Sequence, residues 1–433
     1  MNNYSLEHLK ALDQKHFLHP TSPVVTENGP EFIFERGEGV YLYDKSGRKL
    51  LDGMSSLWNV NIGHGRKEIA EVAAAQMEKL AYNSCFASFS NEPAILLAEK
   101  LAQLAPGDLT ATFFTSGGSE SNDTAYKLVR HYWILKGEPT RKKIITRTKS
   151  YHGVAGGSTS ATGLKAFRDF AESNAPDFLY VDHFSTVALR ELIEKEGPET
   201  IAAFVAEPIQ GAGGVHIPPA DYFKEVRTIC DEFNIVMITD EVITGFGRTG
   251  KFFGMEHFGV APDMMCFAKG VTSGYMQLGG VMISEKIHRE LGELSQGVLL
   301  HGYTYSGHAT ACAVALKNIE IIEQENLVEN SALRGEELLQ GLKQIEGKYD
   351  FITKVKGLGL IAGLEMQHET LVAPLVLKEA TKLGLISRAV VLEGQDIVVF
   401  SPPLCISKEE VQELISMIDQ ALAIVAQNIM AKA

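Results

Sequence analysis

Phe233-Asn-Ile-Val-Met-Ile-Thr-Asp240-Glu-Val-Ile-Thr-Gly-Phe-Gly-Arg-Thr-Gly250, followed by Met264-Met-Cys-Phe-Ala-Lys269-Gly270, is the stretch on which the fold turns. Ile235 to Ile238 is a short continuous apolar run that leads to an acid. Such a run reads as a strand buried on both faces, with Asp240 at its C-terminal end. Met264 to Ala268 is a second apolar run, closed by Lys269 and Gly270. Two adjacent parallel strands would bring Asp240 and Lys269 to one rim of a sheet, where open α/β folds place their ligands.

That pair suits pyridoxal phosphate. A lysine amine can form a Schiff base with the cofactor aldehyde, and a carboxylate can keep the pyridine nitrogen protonated so that the ring accepts electrons. Two polar residues at strand ends also occur without such a role, so the pair alone leaves both readings open. The residues around it go further. Asp240-Glu241-Val242, Gly245-Phe246-Gly247-Arg248-Thr249-Gly250, Pro262-Asp263 and Ala268-Lys269-Gly270 resemble the signature of the class III, pyridoxal-phosphate-dependent aminotransferases. The likeness runs from near Gly39 to the last helix and is greatest with the ω-amino acid:pyruvate aminotransferases, or ω-transaminases. It implies the fold type I α/β architecture: a large domain with a mostly parallel central sheet and a smaller α+β domain. The expected division is 1–60 as an N-terminal segment joining the small domain, 61–328 as the large cofactor-binding domain, and 329–433 as the small domain.

Length and charge are consistent with this. At about 150 residues per domain, 433 residues allow two or three. A formal charge of −14 argues against nucleic acid or an anionic membrane as a main partner. Cys85, Cys230, Cys266, Cys312 and Cys405 are scattered and form no Cys-x-x-Cys pair, which fits reduced thiols in a reducing compartment. No metal is expected. Met1 to Phe17 is polar, and no stretch approaches the roughly 18 apolar residues of a membrane span. A cytoplasmic protein is the expectation.

Ala111 to Phe114 reads as a strand, and Thr115-Ser-Gly117-Gly118-Ser119-Glu120 then opens a helix through Arg130. A strand, a small-residue turn and a helix N-terminus make a phosphate site, because backbone N–H groups and the helix dipole face the anion. Gly-Gly turns before helices are also common as plain structure. In the family, the positions matching Gly117, Gly118 and Ser119 hold the cofactor phosphate, and many relatives carry serine at Gly117. Lys143 to Thr148 reads as a strand followed by Tyr151-His152-Gly153. A rim tyrosine can stack on a pyridine ring, as the family's aromatic does here, and the resemblance places Val242 on the opposite ring face. His152 reads as a base or, more commonly beside glycine, as a hydrogen-bonding strut. Ile201 to Ala206 is a strand ending in Glu207, which joins His152 among the expected cofactor contacts. Two glycine patterns mislead. Gly211-Ala-Gly-Gly is followed by Pro218-Pro219 instead of the helix of a dinucleotide fingerprint. Gly245 to Lys251 has Phe252 where a P-loop needs Ser or Thr.

Gly39 to Leu51 reads as a hairpin, and helices are expected over 66–80, 93–104, 309–323, 330–346, 371–383 and 408–427. Leu385 to Arg388 and Ile397 to Ser401 read as short strands. A lone tryptophan such as Trp58 is usually core, but the family's Leu-Trp-x-Val-Asn segment lines the substrate pocket. Phe86 reads as pocket or packing. Thr304 matches a threonine that reaches the neighbour's cofactor phosphate, which implies a homodimer with shared active sites and a tetramer as the larger alternative.

Two positions speak to substrate. Arg388 matches the mobile arginine that grips acceptor carboxylates, a task its bidentate guanidinium suits. Ala212 stands where ornithine-, acetylornithine- and γ-aminobutyrate-type members carry the glutamate that switches that arginine off. This favours a pyruvate/alanine couple over glutamate/2-oxoglutarate. The implied reaction is ping-pong amino transfer, with Lys269 as acid–base group and Asp240 sustaining the electron sink, from an ω-amino acid or primary amine. β-Alanine, taurine, aliphatic diamines and arylalkyl amines all suit a pocket bounded by Trp58, Phe86 and Tyr151. The alternatives are diaminopelargonate aminotransferase, an aminomutase, and a non-catalytic cofactor-binding sensor; the last lacks a helix-turn-helix extension.

Overall fold

The computed structural model describes residues 4–24, 29–172 and 174–430; the outermost residues of the expected division, 1–3 and 431–433, lie outside it. Its centre is a seven-stranded sheet. In spatial order the strands are Leu109–Thr115, Gly279–Ser284, Met264–Phe267, Val236–Asp240, Ile201–Ala206, Lys143–Arg147 and Phe178–Val181. Neighbours are parallel except at Gly279–Ser284, which runs antiparallel to both of its partners. The expected mostly parallel sheet is therefore present, with one reversed strand.

The continuous apolar runs follow from helices covering both faces. Ile201–Ala206 and Val236–Asp240 are buried along their whole lengths. Side chains alternate across the sheet. Ala203 and Val205 pack with Val129 and Trp133 of the helix Gly118–Leu135, whereas Phe204 and Ala206 pack with Phe223 and Val226 of the helix Tyr222–Glu232. Phe204 is fully buried, and truncating such a residue to alanine costs about 3–5 kcal/mol.

Two four-stranded sheets flank this centre. One joins Phe34–Glu38, Tyr41–Asp44 and Lys49–Asp52 to Leu385–Ile386. The other holds Ile352–Gly357, Ala362–Met366, Ile397–Phe400 and Arg388–Val390. The stretch Leu385 to Arg388, expected as one strand, is thus split between two sheets. Ile386 pairs with Asp52, while Arg388 pairs with Val399. The chain changes sheets at Ser387, whose hydroxyl donates to the Val399 carbonyl at 2.5 Å. Arg388 begins where the crossing ends.

The segment after Met54 is irregular, and this has a local cause. The Asp52 carboxylate accepts the N–H groups of Met54 (3.2 Å) and Ser56 (2.7 Å). It folds Ser55, Ser56 and Trp58 into left-handed backbone at φ +46°, +58° and +57°. Such conformations are costly for residues with a Cβ and persist only where surrounding structure enforces them. Among the described residues no helix is long and apolar enough to cross a membrane.

Candidate active site

The strands Val236–Asp240 and Met264–Phe267 are parallel neighbours, with Asp240 opposite Cys266. Lys269 follows two residues past its strand, at φ +45°. The expected juxtaposition of acid and lysine on one rim is present.

Asp240 is 4% exposed, and both of its oxygens are hydrogen-bonded. Its Oδ2 lies 2.8 Å from His152 Nδ1 and accepts from Asn122 Nδ2, also at 2.8 Å. Its Oδ1 accepts the Val242 N–H at 3.0 Å. His152 is thus a strut to the acid. Asn122 is a member of the site that sequence reasoning missed. It sits in the interior of the helix Gly118–Leu135 and is buried. Asparagine is disfavoured inside a helix unless its amide finds partners, which is the one signal that points to it.

The Lys269 amine is pushed down to about 8, chiefly by burial, with Arg388 acting in the same direction and Asp240 and Glu207 opposing. Its Nζ stands 5.8 Å from the centroid of the Trp58 ring. Glu207 is buried and accepts the N–H groups of Tyr151 and Gly211, each at 3.1 Å. Burial raises its carboxyl to about 7. It fixes the two turns on which Tyr151 and Ala212 ride.

Gly117, Gly118 and Ser119 form the N-terminus of the 18-residue helix Gly118–Leu135, which has no side-chain cap. Ser116 N–H donates to Glu120 Oε2 at 2.8 Å, and Val154 N–H donates to Ser119 Oγ at 3.1 Å. A Cβ on Gly118 would come within 2.9 Å of a Val242 methyl. One on Gly153, at φ +121°, would lie 2.3 Å from Ser119 Oγ. Glycine is what lets these turns close on one another. At Gly117 a Cβ would meet nothing within 4 Å. The uncapped N–H groups and the helix dipole there suit an anion.

Trp58, Ala212, Ile243 and Val390 form an apolar cluster against which Tyr151 packs. The Arg388 guanidinium lies 5.2 Å from the Trp58 ring centroid. Burial lowers its pKa, and no carboxylate of the described residues forms an ion pair with it. The phenol of Tyr151 is raised by burial, against the pull of Arg388. Phe86 and Thr304 stand outside this cluster. Phe86 is 51% exposed, with its ring against Gly302. Thr304 is exposed, and its carbonyl accepts the Tyr82 hydroxyl at 2.7 Å.

Comparison with known proteins agrees with this geometry. The family model for class III aminotransferases matches residues 24–422. The putrescine–pyruvate aminotransferase of Pseudomonas aeruginosa is 37% identical, over all of this chain and 99% of its own. A transaminase from the marine bacterium Virgibacillus superposes with a TM-score of 0.96 at 50% identity, covering 98% of this chain and all of the other. A thermostable (S)-enantioselective omega-transaminase from Thermomicrobium roseum gives 0.94 at 42% identity, with 98% and 100% covered.

Proposed function

This chain belongs to the class III aminotransferases, and we propose that it moves the amino group of an ω-amino acid or primary amine to a keto acid, pyruvate foremost. Its cofactor is pyridoxal phosphate. The residues present fit that group. The buried Trp58 indole N–H has no acceptor among the described residues, the helix N-terminus at Gly117 opens onto free space, and a buried acid and a lysine of lowered pKa share the rim.

When bound, the cofactor supplies an electrophilic aldehyde and a ring that withdraws electrons from the donor carbon. The chain's residues do the rest. The N–H groups at Gly117, Gly118 and Ser119 would hold the phosphate. Tyr151 and Val242 would bracket the ring, and Asp240 would face its nitrogen, steadied by His152 and Asn122. Lys269 Nζ, half neutral near pH 8, would take the proton from the amine-bearing carbon and deliver it to the carbon that receives the amine. Arg388 would bind the acceptor's carboxylate, and the apolar wall of Trp58 and Val390 would exclude water.

One observation carries the choice of acceptor: the Arg388 guanidinium lies over the Trp58 ring without a carboxylate partner among the described residues, and Ala212 belongs to the same apolar cluster as Trp58. A guanidinium so placed is available to a small keto acid in every turnover. The putrescine–pyruvate relative supports the same couple.

The reading extends to assembly. Phe89, Val298, Leu300 and Tyr305 are exposed apolar side chains on the segments that carry Phe86 and Thr304; Val298 and Leu300 are 81% and 94% exposed. Such a surface asks for a partner, and a second copy would bring Thr304 to its neighbour's phosphate site. The division 1–60, 61–328 and 329–433 and a cytoplasmic setting complete the proposal; the five cysteines are free thiols, which fits a reducing compartment.

The test is a half-reaction. The enzyme is loaded with an amine donor, freed of excess amine, and offered pyruvate, 2-oxoglutarate or 8-amino-7-oxononanoate separately. Return of the resting visible spectrum with pyruvate alone supports the proposal. A response only to the oxononanoate reassigns the enzyme to diaminopelargonate formation, and preference for 2-oxoglutarate overturns the reading of Ala212.

A further inference from the structure

Arg388 is carried by a hairpin, Arg388–Val390 and Ile397–Phe400, whose inner face packs Val390, Ile397 and Val399 into the Trp58 cluster. Its turn is tied down at three points. Asp396 accepts the N–H groups of Val372 and Ala373, at 2.6 and 2.8 Å, where the helix Ala373–Leu383 starts. Gln395 Oε1 lies 2.8 Å from His216 Nε2. The third tie is different in kind. Glu393, in left-handed backbone at φ +55° and exposed to solvent, accepts the Lys165 N–H on Oε1 at 2.7 Å. Lys165 opens the short helix Lys165–Asp169. The next side chain of that helix to turn inward, Phe167, packs edge-on against Tyr151 at 5.2 Å between centroids.

Glu393 therefore links the element that carries Arg388 to the element that braces Tyr151. An exposed hydrogen bond of this type adds little to global stability, because water competes for both partners. Its effect is local: it limits how far the hairpin can swing away from the tyrosine. A carboxylate held bidentately by a guanidinium is sensitive to such displacement.

We propose that Glu393, through its hydrogen bond to the Lys165 N–H, is a positioning residue that sets Arg388 for the acceptor's carboxylate. The proposal rests on the reading of Arg388 given above. It predicts an effect on keto acids and none on amine donors that lack a carboxylate.

The experiment compares Glu393→Ala, Glu393→Gln, Arg388→Leu and the Glu393→Ala/Arg388→Leu double variant in the cofactor-loaded enzyme. It uses an arylalkyl amine donor and pyruvate. Glu393→Ala is expected to raise the pyruvate KM three- to tenfold, with the amine half-reaction rate unchanged. Glu393→Gln keeps an oxygen acceptor for the same N–H and is expected to restore the KM. In the Arg388→Leu background, where the pyruvate KM is already raised, Glu393→Ala is expected to add nothing. If Arg388→Leu raises the KM and Glu393→Ala leaves it within twofold, the positioning role is overturned. An equal loss in the amine half-reaction, or failure of glutamine to restore, overturns it as well. If Arg388→Leu leaves the pyruvate KM unchanged, the underlying reading of Arg388 fails and the inference falls with it.

Discussion

His152 Nδ1 lies 2.8 Å from Asp240 Oδ2, with both side chains buried. The imidazole aims the acid that would face the cofactor ring. A hydrogen bond to a charged group is worth about 1.5–3 kcal/mol, and about 1.4 kcal/mol is tenfold in rate. His152→Ala should therefore lower kcat by about 10- to 100-fold, with the amine KM little changed. Asn122→Ala removes the other donor to the same oxygen and should act in the same direction. Steady-state kinetics on the two variants would decide it; wild-type kcat in both would mean that Asp240 needs no bracing.

Lys269 sets a pH dependence. Its amine is pushed down to about 8, mainly by burial, so the neutral, nucleophilic form dominates above that pH. Capture of pyridoxal phosphate by the cofactor-free enzyme should speed up about tenfold per pH unit below 8 and level off above it. A lysine at its ordinary value would keep climbing to about 10.4. Stopped-flow absorbance from pH 6.5 to 9.5 distinguishes the two curves, and Lys269→Ala should show no covalent capture at any pH.

Much of this site was legible because buried strands advertise themselves. The runs before Asp240 and Lys269 are apolar throughout because helices cover both faces of their sheet, and each ends in a residue that a core would not tolerate unpaired. The glycines around Gly117 were legible for the same reason that they are needed. What stayed hidden depends on tertiary partners. Asn122 stands out only as an asparagine inside a helix, and its partner Asp240 is 118 residues away in sequence. The sheet change at Ser387 leaves no mark in Leu385-Ile-Ser-Arg388, because four residues are too few to show where one strand stops and the next begins. Phe178–Val181, a four-residue strand at the sheet edge, is too short to carry a period. Thr304 came from the family resemblance alone, and within one chain it is exposed.

Gly117→Ser should strengthen the phosphate site. Gly117 is in extended backbone, φ 177°, and a Cβ there meets nothing within 4 Å, so the substitution is sterically free. A hydroxyl at the helix N-terminus adds a donor to the anion, worth about 1 kcal/mol or slightly more. The dissociation constant for pyridoxal phosphate should fall about five- to tenfold with the melting temperature of the cofactor-free protein unchanged. Gly153→Ala, which would drive a Cβ into Ser119, should weaken binding. Fluorescence titration of both variants provides the comparison.

Arg248 is a stability prediction. Its buried guanidinium donates to the carbonyls of Leu360 and Pro402, to Ser55 Oγ at 2.9 Å and to Asn61 Oδ1 at 3.0 Å. Ser55 and Asn61 lie early in the chain, Leu360 joins the strands Ile352–Gly357 and Ala362–Met366, and Pro402 follows the strand Ile397–Phe400. Burial lowers its pKa to about 9, so the charge is held at a cost that the four acceptors offset. Arg248→Met would leave these buried acceptors without their donor, at about 1–3 kcal/mol for each one left unsatisfied; it should destabilise by at least about 3 kcal/mol, which chemical denaturation would measure. A loss below about 1 kcal/mol would mean that water replaces the guanidinium at these acceptors.

Ala212→Glu tests the acceptor directly. Ala212 shares an apolar cluster with Trp58 and Val390, and the Trp58 ring lies under the Arg388 guanidinium. A carboxylate introduced there would be buried, and a buried carboxylate is tolerated only when paired. Arg388 and Lys269 are the cations at that ring, at 5.2 and 5.8 Å from its centroid, and Arg388 is the one with no role in proton transfer. Once paired, Arg388 must release the glutamate before it can bind pyruvate. The KM for pyruvate should then rise at least tenfold, while an amine donor without a carboxylate should react at the wild-type rate or faster, because a charged guanidinium no longer competes for its pocket. An unchanged pyruvate KM in a folded variant would show that Arg388 and residue 212 do not meet, and the proposed preference for pyruvate would lose its support.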